Sequence, residues 1–501
     1  MAIRQAHVSS KPQLKVRPAA NYALWLVPLL AALLVFRLVA LKFNATDLFF
    51  DEAQYWNWSQ EPAFGYYSKP PLIAWLIGAS TAVCGVSEFC IRLPSPLVHT
   101  ATAAVIFALG TRLYSAQVGF WSALAFATLP GVSFSAGIIS TDVPLLFTWA
   151  LALLGFVALF DTKAWWPVAL IALGLGLGLN AKYAMAYFAL SVAVYVLVTP
   201  DKRAILRDTS LWVALALGVA MIVPNLIWNA SNEFATFAHT ADNAKLGGSL
   251  IHPLKALEFL GTQFGVFGPI LFGSLIAILY RAYHQGLDPR DRMLLCFTVP
   301  VITVVTLLAF LSRAHANWAA VSYVAATVLV MATLIRDASW GWLKASLGIH
   351  LTLIAMFALA TTTAGQVKLP GADPLARTLG WRAVADATRA ELAKAKAAGK
   401  PYASMITDER ALSAELLYYM RDEPTPLLAW RSTATPADHY ELTRPFTPTS
   451  PQPVLLVAMR RDVTPITKWF TRADKISDNQ LPAGATAKRA ISFYALDGYK
   501  K

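Results

Sequence analysis

Apolar runs separated by short polar stretches follow one another from residue 22 to residue 362, and this pattern constrains the fold more than any other feature of the chain. A membrane-spanning helix needs about 20 apolar residues. Because 56% of the 501 residues are hydrophobic and only 14% are charged, a soluble domain could not bury the apolar surface. We therefore predict a mainly α-helical, polytopic transmembrane bundle with about 11–13 spans. The runs lie at 22–43, 93–113, 117–137, 143–160, 165–180, 183–199, 209–228, 260–282, 293–311, 316–335 and 342–362, and a shorter run at 70–87 is typical of a re-entrant or interfacial helix.

The charges between these runs predict an orientation and three regions. Basic residues concentrate in alternate loops, and the positive-inside rule places those loops in the cytoplasm. We expect a cytoplasmic tail at 1–21, a transmembrane domain at 22–365 whose first periplasmic loop is 44–92, and a periplasmic domain at 366–501 of an inner-membrane protein. The net charge of +13 then reflects orientation among membrane lipids, and we expect no nucleic-acid partner. Any group donor on the periplasmic side has to be carried by a lipid, because nucleotide sugars stay in the cytosol.

From about residue 366 the composition becomes polar, and no span-length run remains. The pattern predicts helices at 381–398 and from 411 onward, and strands at 402–407, 453–459 and 491–496. We interpret this region as a small soluble α/β domain. It has no glycine-rich phosphate loop, so its expected role is a cap over the membrane domain or a platform for an acceptor.

The loop at 47–72 follows the first span and carries the most informative charges. It begins with the adjacent carboxylates Asp51 and Glu52 and ends with Lys69, directly before two prolines. A solvated helix end would explain the carboxylates, and a snorkelling side chain would explain the lysine. The same residues suit catalysis, because a carboxylate can accept the proton of an attacking hydroxyl and a fixed cation can stabilise a departing phosphate. We therefore predict Asp51 and Glu52 as catalytic residues and Lys69 as a ligand of a donor phosphate.

Further candidates lie in other loops on the same predicted face. Lys182 and Arg313 could bind the donor phosphate, although interfacial charges often have no such role. Either Thr141 or Asp142 is expected to cap the helix that follows, and Asp142 could also contact substrate. Aromatic and imidazole groups complete the predicted substrate site, with an interfacial belt as the alternative for the aromatic ones: Tyr66, Tyr67, His315 and Trp318.

Cysteines and histidines give little indication of redox or metal chemistry. Cys84 and Cys90 could meet, but buried apolar thiols are expected for them and for Cys296. His239 and His252 share a predicted periplasmic loop, yet no close spacing of histidines or cysteines predicts a zinc site. A divalent metal is left open, and we predict no other cofactor.

Five motifs occur in a characteristic order: Phe50-Asp51-Glu52-Ala-Gln-Tyr-Trp56, Tyr66-Tyr67-Ser68-Lys69-Pro70-Pro71-Leu72, Ser140-Thr141-Asp142-Val-Pro144, Ala181-Lys182-Tyr183 and Arg313-Ala-His-Ala-Asn-Trp318. With them the chain resembles, over nearly its whole length, the bacterial polyprenyl-phosphate-dependent glycosyltransferases of the type-C membrane fold. This group includes lipid A aminoarabinose transferases and lipopolysaccharide-core galacturonosyltransferases, and it is related to protein O-mannosyltransferases. The segment from Asp408 to Tyr419 is similar to a phrase of the same group.

The resemblance implies roles for individual residues. Asp51 would be the catalytic carboxylate with Glu52 beside it, and Lys69 would contact the carrier phosphate together with Lys182 and Arg313. Asp142 would hold the donor sugar or the acceptor, and transfer would invert the anomeric centre. One position departs from the aminoarabinose transferases, which carry a glutamate linked to a metal directly before the lysine. Ser68 stands there, which puts the metal in doubt and favours a galacturonosyl or other core-sugar branch.

We therefore expect an inner-membrane glycosyltransferase that moves one sugar from a polyprenyl phosphate to lipid A, to the lipopolysaccharide core or to another envelope acceptor. The alternative is a transporter or flippase of a lipid-linked substrate, which would place ionisable groups near the bilayer midplane and contain paired repeats. A second alternative is an assembly factor without catalytic activity, whose tail binds a partner.

Overall fold

The computed structural model describes residues 19–244, 251–367 and 373–500. Helices dominate as far as residue 362, and a mixed α/β unit follows. The helices α1 to α18 are Ala19–Lys42, Phe50–Gln60, Leu72–Cys84, Glu88–Arg92, Pro94–Leu113, Ala116–Thr128, Pro130–Ser135, Asp142–Ala158, Trp166–Ala181, Tyr187–Val198, Thr209–Ser231, Ala235–Ala244, Pro253–Val266, Pro269–Gln285, Pro289–Cys296, Val299–Leu311, Ser322–Arg336 and Trp340–Thr362.

Long apolar helices confirm a multi-pass helical bundle, but fewer of them have full span length than predicted. In the described residues, five helices are long and apolar enough to cross a membrane, or six if one bent pair is counted as a span. Five further apolar helices have only 10–17 residues. The expected 11–13 spans therefore overestimate the full-length crossings, because several apolar runs form short helices or are interrupted.

Proline and glycine account for two of the interruptions. The run predicted at 117–137 breaks at Leu129, and α7 begins with Pro130. The run predicted at 260–282 divides into α13 and α14, which are bent by 119°. At that break Gly268 has a φ of +92° and is followed by Pro269. A positive φ suits glycine, and proline has no backbone N–H and favours the first turn of a new helix.

The polar tail forms one mixed five-stranded sheet with four described helices. The helices α19 to α22 are Trp381–Ala397, Arg410–Tyr419, His439–Thr443 and Thr464–Thr467, and the strands β1 to β5 are Ser404–Thr407, Leu427–Ala429, Val454–Ala458, Phe470–Pro482 and Lys488–Tyr499. The strand order is β2-β1-β3-β5-β4, in which β1 is parallel to β2 and β3, and β5 is antiparallel to β3 and β4. The predicted strands correspond to β1, β3 and β5. Strands β2 and β4 were not predicted.

The first loop and the tail share a hydrophobic core. Trp56 and Trp58 of α2 are buried together with Trp381, Leu412 and Tyr418 of the tail. The rings of Trp56 and Tyr418 meet edge to face with centroids 5.0 Å apart, a geometry that adds about 0.5–1.5 kcal/mol to the burial of area. This packing fixes the position of α20 against α2, and both helices contribute to the site described below.

A disulfide between Cys84 and Cys90 closes the connection from α3 to α4. The expectation of buried apolar thiols is therefore wrong for this pair. Cys84 is exposed at the end of α3, where its side chain reaches the next helix. Cys296 is a free, buried cysteine, as predicted.

Candidate active site

The two adjacent carboxylates of α2 face different surroundings. Glu52 is 1% exposed and pairs with the equally buried Arg92, with 2.7 Å between Oε2 and Nη2. Its oxygens also accept the backbone N–H groups of Phe49 and Ile139, each at 2.9 Å. Removing one partner of such a buried pair costs about 3–5 kcal/mol. With its oxygens occupied in this way, Glu52 is positioned to fix the start of α2.

Asp51 lies on the more open side of α2. Its Oδ1 accepts a hydrogen bond of 3.0 Å from Nη1 of Arg410, the first residue of α20. The same nitrogen donates to Oε1 of Gln54 at 2.9 Å. The Asp51 and Arg410 side chains are 36% and 35% exposed, so Asp51 can reach a substrate and Glu52 cannot.

Contacts from α11 and the start of α12 position the loop that ends at Lys69. The amide of Asn225 donates to the Phe64 carbonyl at 2.7 Å, and the Thr236 hydroxyl donates to the Tyr66 carbonyl at 2.7 Å. The Tyr66 N–H in turn donates to the Lys69 carbonyl at 3.1 Å. These bonds connect the lysine backbone to two helices outside its own loop, so its position depends on the bundle.

The Lys69 amine lies among charges of both signs. Burial and the nearby Lys182 lower its pKa to about 8, while the carboxylates of Asp51 and Asp142 oppose the shift. Arg410 also lowers the pKa of Lys69. We call these five residues the charged cluster: Asp51, Lys69, Asp142, Lys182 and Arg410. In the described part of the chain, Lys69 has no carboxylate within ion-pair distance, unlike Lys182.

Asp142 joins three separate helical segments. Its Oδ1 accepts the Lys182 amine at 2.7 Å, and its Oδ2 accepts the Asn317 amide at 2.5 Å. Asp142 is the first residue of α8, and Lys182 directly follows α9. The expected helix cap is wrong for Thr141, whose side chain makes no capping hydrogen bond. The Asp142 carboxylate is instead directed to neighbouring segments.

The predicted residues of the loop before α17 lie beside this cluster. Arg313 is partly buried, and its Nε has no hydrogen-bond partner in the described structure. Burial and Arg313 lower the pKa of His315, and Lys182 and Lys69 lower it further. The Trp318 ring meets the His315 ring with centroids 5.3 Å apart. Arg313 and His315 are therefore electrostatic neighbours of the charged cluster.

Tyr66 and Tyr67 have mainly structural contacts. Tyr66 is 2% exposed, stacks on Trp58 at 4.7 Å, and donates its hydroxyl hydrogen to the Trp58 carbonyl at 2.8 Å. Tyr67 donates to the Pro436 carbonyl at 3.0 Å and contacts the His239 ring edge to face. Tyr66 is thus shielded from a substrate, whereas Tyr67 lines the boundary between the loop and the tail.

Metal-ligand candidates are sparse around the charged cluster. No group of three or more His, Cys, Asp or Glu side chains that could hold a metal occurs within residues 19–244, 251–367 and 373–500. Ser68 is buried beside Lys69, and Asp51 and Asp142 both have basic partners. These residues do not form a ligand set for a divalent cation, and we derive no catalytic step through a metal.

Sequence reasoning missed three residues of this region. Arg410 lies in the segment from Asp408 to Tyr419, whose sequence pointed to the family but to no role for any single residue. Asn317 lies inside one of the five motifs, and no role was predicted for it. His239 had been considered only as a metal ligand. Burial and Lys69 lower its pKa to about 4, which places it beside the charged cluster. The repeated basic residues of the tail gave no signal that one of them reaches Asp51.

Comparison with known proteins identifies sequence relatives of this chain. Residues 68–228 match the dolichyl-phosphate-mannose-protein mannosyltransferase family. The lipid A galacturonosyltransferase RgtD of Rhizobium johnstonii is 38% identical over 408 residues, which are 81% of this chain and 85% of that protein. The chain belongs to the lipid-phosphate-dependent glycosyltransferases of the type-C fold. The lipopolysaccharide core galacturonosyltransferase RgtA of the same organism is 28% identical over 55% of this chain and 58% of that protein.

Crystal structures of ArnT from Cupriavidus metallidurans share the fold. The apo structure gives a TM-score of 0.66 at 16% identity, with 95% of this chain and 98% of that chain covered. The structure bound to undecaprenyl phosphate gives 0.67 at 15% identity, with the same coverage. These structures confirm the predicted fold class. The RgtD relative and the mannosyltransferase family match confirm the predicted family and a glycosyltransferase that uses a sugar linked to a lipid phosphate. The roles of individual residues stay predictions.

Proposed function

We propose that this glycosyltransferase transfers galacturonic acid from a polyprenyl phosphate, such as undecaprenyl phosphate, to a hydroxyl of lipid A. The observation that carries the proposal is the charged cluster, in which Asp51 is accessible and Lys69 has no ion-pair partner among the described residues. The 38% identity to a lipid A galacturonosyltransferase supports the choice of sugar and acceptor. A lipopolysaccharide-core hydroxyl is the alternative acceptor of the same chemistry.

The proposed reaction is a single displacement. An acceptor hydroxyl oxygen forms a bond to the anomeric carbon, while the bond from that carbon to the carrier phosphate oxygen breaks. The bonding electron pair leaves with the polyprenyl phosphate, and the hydroxyl proton passes to the Asp51 carboxylate. Lys69 stabilises the charge that develops on the phosphate. Attack opposite the leaving group inverts the anomeric centre.

Other residues of the predicted set act around these two. Lys182 and Arg313 add positive charge near the phosphate, and Asp142 fixes Lys182 through their 2.7 Å ion pair. Glu52 acts through the backbone of α2, because its oxygens are already occupied. Tyr67, His315 and Trp318 border the substrate.

The charge around Asp51 supports an acidic donor sugar. Lys69, Lys182 and Arg410 outnumber the two carboxylates of the charged cluster, and Arg313 and Arg377 both act on the neighbouring His315. An excess of positive charge attracts a sugar carboxylate and repels the ammonium group of an amino sugar. This balance favours galacturonate over aminoarabinose, although the ArnT fold is shared.

We place the cluster on the periplasmic face of the inner membrane. The Cys84–Cys90 disulfide lies in the predicted loop 44–92, which also contains Asp51 and Lys69, and disulfides persist mainly in oxidising compartments. The distribution of basic residues between the helices supports the same orientation. A donor carried by a lipid can present its head group on that face without nucleotide sugars.

The proposed roles predict the effects of two substitutions. Asp51→Asn and Lys69→Ala should each lower galacturonosyl transfer about 100-fold or more, because one removes the proton acceptor and the other the phosphate cation. The measurement is transfer by purified protein from polyprenyl-phosphate galacturonate to lipid A, with mass spectrometry of the product. Asp386→Asn is the matched control, because Asp386 is a 74% exposed carboxylate in a surface ion pair. Unchanged transfer by folded Asp51→Asn and Lys69→Ala protein would refute the proposed roles.

A further inference from the structure

Arg410 joins the tail to the predicted catalytic carboxylate. It begins α20, and its Nη1 bridges Asp51 and Gln54 of α2 at 3.0 and 2.9 Å. The guanidinium also lies over the Phe50 ring, with its central carbon 4.8 Å from the ring centroid. The Phe50 ring and the two Nη1 contacts hold the guanidinium beside α2, and its other edge carries Nε and Nη2.

That other edge is available to a ligand. Of the guanidinium nitrogens, only Nη1 donates a hydrogen bond within the described structure, which leaves Nε and Nη2 without protein acceptors. The side chain is 35% exposed. An arginine edge with two parallel N–H groups matches the two oxygens of a carboxylate. The site therefore offers a bidentate hydrogen-bond donor beside Asp51, the proposed proton acceptor.

The donor proposed above carries two separate anions. One is the phosphate that links the sugar to the lipid, and the other is the carboxylate at C6 of the sugar. Lys69 suits the first. Arg410 contacts Asp51 at 3.0 Å, and both residues act electrostatically on the Lys69 amine, so the two cations belong to one cluster around Asp51. A neutral hexose carries only the first anion and has no group that would pair with Arg410.

The bond between Arg410 and Asp51 can be exchanged. It is a one-nitrogen contact between half-exposed side chains, and pairs of this kind contribute little net free energy. A bidentate contact with a carboxylate is stronger. A donor carboxylate can therefore displace Asp51 from Arg410 and leave the Asp51 oxygens free to accept a proton.

We propose that Arg410 selects a uronic acid donor by exchanging Asp51 for the C6 carboxylate of the sugar. The inference rests on the proposed function. It couples recognition to chemistry: a uronic acid releases Asp51, whereas a neutral sugar leaves Asp51 paired with Arg410. Discrimination then exceeds what binding of a single group supplies, because the wrong donor forgoes the bidentate contact with Arg410 and also leaves the proton acceptor engaged.

Two donors that differ only at C6 test the exchange. Polyprenyl-phosphate galacturonate and polyprenyl-phosphate galactose are offered to the full-length protein with the same lipid A acceptor, and kcat/KM is measured for each. Wild type should prefer galacturonate by about 100-fold or more. Arg410→Gln should lower that ratio about 10- to 100-fold, because it removes the guanidinium edge that binds the carboxylate and also frees Asp51 for the neutral donor. Arg472→Gln is the control, because Arg472 pairs with Asp474 on the exposed strand β4, and it should leave the ratio unchanged.

A binding measurement keeps the proposal testable if Arg410→Gln fails to fold. Asp51→Asn removes the competing carboxylate, so it should tighten binding of the galacturonate donor about tenfold relative to the galactose donor. The double variant Asp51→Asn/Arg410→Gln should lose that relative gain. Equal changes for both donors would show that Asp51 acts by general repulsion and would overturn the exchange.

The outcomes separate this inference from the proposed function. If wild type transfers galacturonate and folded Arg410→Gln keeps the wild-type ratio, the inference fails and the proposed function stands. Equal loss with both donors would assign Arg410 to the acceptor or to positioning Asp51, and it would also overturn the inference. If wild type transfers no galacturonate, the proposed function fails first.

Discussion

Lys69 is the residue whose chemistry depends most on its surroundings. Burial and Lys182 lower the pKa of its amine to about 8, so the free enzyme loses this positive charge within an accessible pH range. A bound phosphate stabilises the protonated amine and raises its pKa. The contribution of Lys69 to donor binding is therefore complete below the free enzyme's pKa of about 8 and is lost as the pH rises from there through the higher pKa of the donor-bound enzyme.

This titration predicts how donor affinity depends on pH. The KM for the lipid-linked donor should rise about fivefold between about pH 8 and pH 9 in wild type, because the protonated fraction of Lys69 falls. Lys69→Arg should remove the rise, because a guanidinium stays charged throughout. The measurement is a pH series of initial rates at several donor concentrations. A rise of the same size in folded Lys69→Arg protein would assign the titration to another group.

Single residues also show where prediction from sequence ends. Asp51 and Glu52 are neighbours of the same charge, and sequence alone gave them one role. Their difference arises from helix geometry, because adjacent helical positions point about 100° apart, so that one meets Arg92 and the other Arg410. Those two arginines lie 40 and 359 residues away from their partners, and no local pattern indicates such distant contacts.

At the scale of elements, the loop from α2 to α3 depends on its approach to α11. Gly65 lies so close to this helix that a Cβ would be 2.4 Å from the Trp228 ring and 2.9 Å from the Asn225 amide. Asn225 is the same residue that holds the Phe64 carbonyl. A side chain at position 65 would therefore push away the loop that carries Lys69.

Gly65→Ala should consequently impair catalysis through position. We expect a loss of stability of about 1–3 kcal/mol from overpacking and a fall in kcat of about 10-fold or more, because misplacement by an ångström is costly. Gly78→Ala in α3 is the control, since a Cβ there meets only ordinary contacts at 3.5 Å and beyond. Thermal unfolding and transfer rates measure the two effects. Wild-type kcat in Gly65→Ala would show that the loop has room to adjust.

Hydrophobic periodicity predicted most elements but not their breaks. Length and apolar content fix α1, α11 and α18, because the bilayer imposes a minimum length. The interruptions at Leu129 and Gly268 depend on proline, on positive φ and on the packing around them. Strand β4 was missed because nearly all of its residues are exposed or partly exposed, so it has no regular alternation of apolar and polar residues.

At the scale of the whole molecule, orientation decides which compartment the charged cluster faces. If loop 44–92 faces the periplasm, an impermeant maleimide should label the exposed Cys84 in intact spheroplasts only after an impermeant reductant has opened its disulfide with Cys90. The Cys84→Ser/Cys90→Ser variant should remove this labelling, because Cys296 is buried. Gln285→Cys in that double variant places a thiol at the exposed end of α14, and it should react only after permeabilisation. Labelling of Cys84 without a reductant, and only in permeabilised cells, would reverse the topology.

The shared core of α2 and the tail has a consequence for biosynthesis. Asp51 is translated 359 residues before Arg410, and the strands of the sheet beside Arg410 are β1 just before it and β2 to β5 after it. Under the proposed mechanism, the nascent protein can insert its helices and encounter donor lipid before it can discriminate between a uronic acid donor and a neutral donor. Under the proposed exchange, selectivity for a uronic acid is acquired only when α20 docks on α2, after the helices that precede α20 have been made.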